Sequence, residues 1–145
     1  MFDVDTSATV SLLNRLFGTI YRSLPVYLAE AHPWSTPTGQ KAEELLARMA
    51  ADHRMLAVRI AEAIRWQGGL VEFGEFPLEF TSLNDITVDF LLRKVYERIL
   101  HQIRFLQRCV EDLSDSPSFQ PLAEAALRLT LEHRAAIEEM MKDEW

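Results

Sequence analysis

The sequence predicts an all-α fold, a four-helix bundle made of two helical hairpins joined by a long crossover, and three observations predict it. Apolar residues recur at spacings of three and four through four long segments, which lays one apolar stripe along a helix in each. Turn chemistry separates these segments, in the proline-rich stretch from His32 to Gly39, at Gly68-Gly69 and at Asp115-Ser116-Pro117. The stretch between the second and third segments, Leu70 to Asn84, is too long for a simple turn between antiparallel helices. A chain of 145 residues has the size of one domain, so residues 1–145 are expected to share a core that needs neither disulfide nor structural metal.

The first helix is expected over Ser7 to Ala31, with Thr6 and Ser7 as caps and Leu13, Leu16, Phe17, Ile20, Leu24, Tyr27 and Leu28 inward. Pro25 lies inside that pattern, where its missing N–H should kink the helix or divide it in two. The second helix is expected to start with Thr36 as cap and Pro37 at its first position, and to end at Gly68-Gly69. Its inward stripe is Leu45, Leu46, Met49, His53, Leu56, Ile60 and Ile64. In the crossover, Phe73, Phe76 and Phe80 alternate with Glu72, Glu75 and Glu79, so this segment should pack on the helices and not hang free. The third helix, about Asp85 to Leu113, turns Val88, Leu92, Val95, Ile99, Ile103, Leu106 and Val110 inward, and the fourth, about Ser118 to Asp143, turns Leu122, Ala126, Leu129, His133, Ile137 and Met140 inward. The hairpins also align with each other, Leu13 on Leu92, Leu16 on Val95, Ile20 on Ile99 and Leu24 on Ile103, as an internal duplication would.

Composition excludes several function classes. The formal net charge of −7 disfavours nucleic acid as a partner, because the most basic stretch, Arg93 to Arg108, is interrupted by Glu97. No apolar run is long enough to span a bilayer, and the acidic opening MFDVDTSATVSLL lacks the basic region of a secretory signal, so the expected location is cytoplasmic, with no membrane partner. The single cysteine, Cys109, excludes an internal disulfide and is expected to act as a small buried hydrophobe. There is no glycine-rich phosphate loop and no nucleophile elbow.

The helix pairs, the crossover, the Leu13-Asn14-Arg15-Leu16 opening with Tyr27 beyond it, and one histidine midway along the second and fourth helices together resemble the ferritin-like superfamily. The resemblance implies a di-iron centre built from one glutamate on each of the first and third helices and a Glu-x-x-His pair on each of the other two. Iron needs those carboxylate oxygens to neutralise two close cations in a core of low dielectric constant. Here Ala50 stands three residues before His53 and Thr130 three before His133, while Ile20 and Ile99 occupy the matching inward positions of the other helices. The centre is therefore expected to be carboxylate-poor and degenerate, with His53 and His133 as a vestigial metal site and no di-iron chemistry carried over.

Asp52 and Glu132, adjacent to the histidines, fall about 100° off their direction and belong on the flanks of the bundle. Glu97 and His101 share a polar face with Lys94, Arg104 and Arg108 and read as a solvated cluster. That outward placement of His101 also argues against the three-histidine centre of the related DinB-like proteins. Two functions remain: a non-catalytic binding or assembly module, expected to be a homodimer packed through the crossover, Trp34, Trp66 and the first two helices, or a protein or enzyme holding a single transition metal at His53 and His133 with a phenol such as Tyr21 or Tyr96. The second has its own competitor, in which Thr130, a tyrosine or a backbone carbonyl satisfies two neutral imidazoles.

Overall fold

The computed structural model describes residues 4–31, 39–83 and 87–142. Its helices are α1 (Val4–Tyr21), α2 (Leu24–Ala31), α3 (Gln40–Trp66), α4 (Val88–Asp112) and α5 (Gln120–Met141), with a short 3-10 helix at Leu78–Leu83 in the crossover. Among the described residues there is no strand, and no helix is long and apolar enough to cross a membrane. The helices form a bundle: α1 and α2 both pack on α3, α4 packs on α5, and the two halves meet through α3 with α5 and α1 with α4. The expected start of the second helix at Thr36 and Pro37, and Trp34 before it, lie outside the described residues.

The first predicted helix is divided in two, as Pro25 requires. Proline has no N–H to offer the carbonyl one turn back, so α1 closes with the Arg22 N–H on the Gly18 carbonyl at 3.0 Å, and α2 restarts at Leu24. Ser23 occupies the gap and its Oγ accepts the Val26 N–H at a long 3.4 Å, the role of an N-cap. At the other end, α1 begins before Thr6 and Ser7, which sit inside the helix and do not cap it, because adding residues to a formed helix costs little. The C-terminus of α3 carries a paired closure: the Gly68 N–H bonds the Arg65 carbonyl at 2.8 Å and the Gly69 N–H the Ile64 carbonyl at 2.9 Å. That geometry needs a left-handed residue, and Gly68 supplies it with φ 77°.

The apolar stripes meet in two clusters. One joins Leu13, Leu16, Phe17 and Ile20 of α1 to Leu56, Ile60 and Ile64 of α3, Leu106 and Cys109 of α4, and Leu122 and Ala126 of α5. The other joins Leu24 and Leu28 of α2 to Leu45, Leu46 and Met49 of α3, Leu91, Leu92, Val95 and Ile99 of α4, Ile137 and Met141 of α5, and Phe80. The chain passes from one cluster to the other at Ser23, at His53 and at Thr130 and His133, all buried. The middle of the bundle is thus a polar layer between two apolar ones.

The first part of the crossover, Leu70 to Phe73, is bound to α1. Asn14 is only 5% exposed; its side-chain N–H donates to the Leu70 carbonyl at 2.9 Å and its Oδ1 accepts the Glu72 N–H at 2.8 Å. One turn on from Gly18, Arg22 Nη1 donates to the carbonyls of Glu72 and Phe73 at 3.0 and 2.7 Å. A Cβ at Gly18 or Gly74 would overlap that guanidinium, and Gly74 also has φ 61°, so the slot around Arg22 is cut by two glycines. The aromatic residues pack as expected: Phe73 meets Phe17 and Tyr21 edge-on, Phe76 meets Tyr27, and Phe80 is buried under the Arg98 guanidinium, 4.7 Å from its ring centre.

Truncating the Asn14 amide removes the partners of the Leu70 carbonyl and the Glu72 N–H, two part-buried hydrogen bonds. Asn14→Ala should cost about 1–2 kcal/mol of unfolding free energy, measurable by urea titration at neutral pH. A loss no larger than that of an exposed control such as Ser11→Ala would show that the crossover is held without it.

Candidate functional site

In α3 the residues at 49, 53, 56 and 60 fall on one face, so an imidazole at 53 is carried into the core by its apolar neighbours Met49 and Leu56. The same geometry in α5 brings His133 inward between Thr130 and Ile137. The two rings come within 5.3 Å, centre to centre, inclined at 50°. The sequence-predicted residues are therefore brought together.

Each ring is held by one nitrogen. His53 Nδ1 lies 2.7 Å from Ser23 Oγ, and His133 Nε2 lies 2.8 Å from Asp52 Oδ2. The serine hydroxyl can accept from an Nδ1–H or donate to a bare Nδ1, and in the first arrangement the Nε2 lone pair is free. The carboxylate can only accept, so His133 carries a hydrogen on Nε2. His133 Nδ1 is buried and has no hydrogen-bond partner. Burial drives the pKa of His53 down to about 3; the neighbouring His133 lowers it further, and Asp52 opposes both. His53 is neutral at pH 7 for that reason.

Two of these partners depart from expectation. Asp52 does sit on the flank of α3, half-exposed, yet it reaches His133 without any distortion of the helix, because that flank faces α5. Thr130 does not serve the histidines: its hydroxyl donates to the Ala126 carbonyl of its own helix at 2.8 Å. Ser23 carried one legible signal, a small polar residue between Ile20 and Leu24 at a proline break. The pairing of Asp52 with His133, eighty-one residues apart, carried none.

The other candidates are elsewhere. Tyr21 stacks on Phe17 at 4.8 Å, and Tyr96 donates to Glu138 Oε2 at 2.7 Å, which raises its pKa. Glu97 pairs with Lys94 at 3.5 Å and His101 is exposed, as their shared polar face implies. Cys109 is fully buried with its thiol pushed up to about 11, chiefly by burial, and is no thiolate nucleophile at neutral pH. Among the described residues no group of three His, Cys, Asp or Glu side chains converges as metal ligands would.

Two surface clefts flank α3. One, of about 480 Å³, lies between α1, α2, α3 and the crossover and is walled by Phe17, Tyr21, Val58, Phe73 and Phe76, with Arg22, Arg54 and Arg65 at its edges. The other, of about 560 Å³, lies between α3 and α5 and includes Asp52, Met55 and Val58. Neither is lined by His53 or His133. Compared with known proteins, the chain matches no family model, no curated protein and no solved structure.

The depressed pKa of His53 makes stability depend on pH with a definite sign. The unfolded chain takes up a proton near pH 6.5 that the folded chain refuses until about pH 3. Stability from this group is complete above pH 6.5 and lost as pH falls through that window, by up to about 5 kcal/mol at roughly 1.4 kcal/mol per pH unit. Urea midpoints measured from pH 7 to pH 4 should therefore fall more steeply in the wild type than in His53→Gln, which keeps a polar side chain and cannot titrate. Parallel curves would mean that His53 is not shielded.

Proposed function

We propose that residues 1–145 form one ferritin-like domain that lacks a di-iron centre and works as a non-catalytic binding and assembly module, joined to a second copy of itself. The layout supports the kinship: a first hairpin of α1–α2 with α3, a second of α4 with α5, a long crossover, and a histidine at the middle of α3 and α5. Ala50 and Thr130 stand where the di-iron families place carboxylates, and among the described residues no group of three His, Cys, Asp or Glu side chains converges.

The observation that carries assembly is the outward face of α3. Met55, Val58 and Trp66 are 73%, 58% and 84% exposed, and their spacing sets them on one side of the helix. Val58 continues across the first cleft to Phe73, itself 46% exposed. Arg59 and Glu62 lie within the same face. Pairing α3 with its copy about a two-fold axis near Ile60 and Ala61 sets Met55 against the partner's Trp66 and Arg59 against the partner's Glu62. This face is self-complementary in both its apolar and its charged residues, as an isologous interface must be. Large apolar side chains left in water on one contiguous face favour such burial.

Sedimentation equilibrium at micromolar concentration should give twice the chain mass for the wild type and the chain mass for Met55→Glu/Val58→Glu. Arg59→Glu alone should weaken the dimer and Arg59→Glu with Glu62→Arg restore it. A wild type that is monomeric at tens of micromolar overturns the proposal.

A second reading, one transition metal ion held by His53 and His133, is favoured by a specific observation: the buried His133 Nδ1 has no partner while Asp52 orients its other nitrogen. Metal-binding histidines are commonly held by a carboxylate in this way.

A further inference from the structure

We propose that the ion taken at the midplane is monovalent copper, Cu(I), bound by His53 Nε2, His133 Nδ1 and the Met49 thioether. The inference rests on the metal-binding reading of that histidine pair and names the metal and a third ligand. Hydrogen bonds occupy one nitrogen of each ring, Nδ1 of His53 on Ser23 and Nε2 of His133 on Asp52, so the remaining nitrogens are the ones left for an ion. Of these, His133 Nδ1 is buried with no partner at all. Met49 is fully buried on α3, and at four residues before His53 it lies on the same helix face one turn away. Its long unbranched side chain lets the sulfur adjust.

Charge and ligand softness select the ion. Two neutral imidazoles and a thioether bring no negative charge, and no third His, Cys, Asp or Glu converges on the pair among the described residues. Divalent iron or zinc would be left short of ligands and with a buried surplus of charge. The carboxylate bonded to the pair, Asp52 behind His133, balances one positive charge and not two. Soft sulfur with imidazole suits Cu(I), which binds without any change of oxidation state.

The probe is the coloured Cu(I)–bicinchoninate complex, titrated anaerobically with the full chain, alongside Zn(II) followed by a zinc-sensitive dye. One Cu(I) per chain should be withdrawn from the chelator, and X-ray absorption should show nitrogen and sulfur neighbours at low coordination number. His53→Ala and His133→Ala should abolish retention. Asp52→Asn should weaken it by about tenfold to a hundredfold, as loss of a ligand's supporting partner does, and Met49→Leu, which conserves volume and keeps the fold, by at least about tenfold. Cu(I) held equally well by Met49→Leu, or by both histidine variants, overturns the proposal. Zn(II) bound through His53 and His133 with no Cu(I) retained also overturns it while leaving the metal-binding reading standing; retention of neither ion removes both.

Discussion

The architecture depends on fastening the crossover backbone to α1. A segment that passes between two hairpins without regular structure exposes N–H and C=O groups that neither helix ladder nor sheet will satisfy, and burying them bare costs free energy at each group. Asn14 solves this by presenting an amide, chemically a peptide group, to Leu70 and Glu72, and Arg22 takes the next two carbonyls. With those four contacts made, Phe73, Phe76 and Phe80 are delivered to aromatic partners on the helices. The glycines at 18 and 74 follow from the same constraint, since the guanidinium needs the volume their side chains would fill.

The polar midplane is a consequence of the broken first helix. Pro25 ends α1, the break puts Ser23 in the interior, and Ser23 supplies His53 with a hydrogen-bond partner. Across the bundle, His133 draws its partner from the flank of α3. Four polar groups, Ser23, His53, His133 and Asp52, therefore extend from the helix break toward the edge of the second cleft. The layer separates the two apolar clusters, and it leaves one imidazole nitrogen unsatisfied where an otherwise economical core would bury a methyl group. That nitrogen, His133 Nδ1, is the group on which the metal-binding proposal rests.

Much of the fold was legible in the chain. The stripes of α3 and α4 name buried residues almost throughout, because a 3.6-residue period and a one-sided core leave few alternatives; Ile103 and Val110 are only partly buried, and Leu91, fully buried, lies off the anticipated stripe. Pro25 announced its break, Gly68 its helix end and Cys109 its burial. The site was half legible. His53 and His133 stood out as polar residues on apolar faces, whereas Ser23 and Asp52 became their partners only through packing. The twist that turns Asp52 toward α5 is a property of how two helices meet, and no spacing within one helix contains it.

The division between sequence and tertiary structure follows from range. Period, proline and glycine act within a few residues, so the chain by itself determined helices, their inward faces, the break in the first and the two histidines on apolar faces. Hydrogen bonds between Asn14 and the crossover, or between Asp52 and His133, join residues more than fifty positions apart. Only the assembled bundle decided them, because a side chain's reach of a few ångströms has meaning only after the backbones have been brought together.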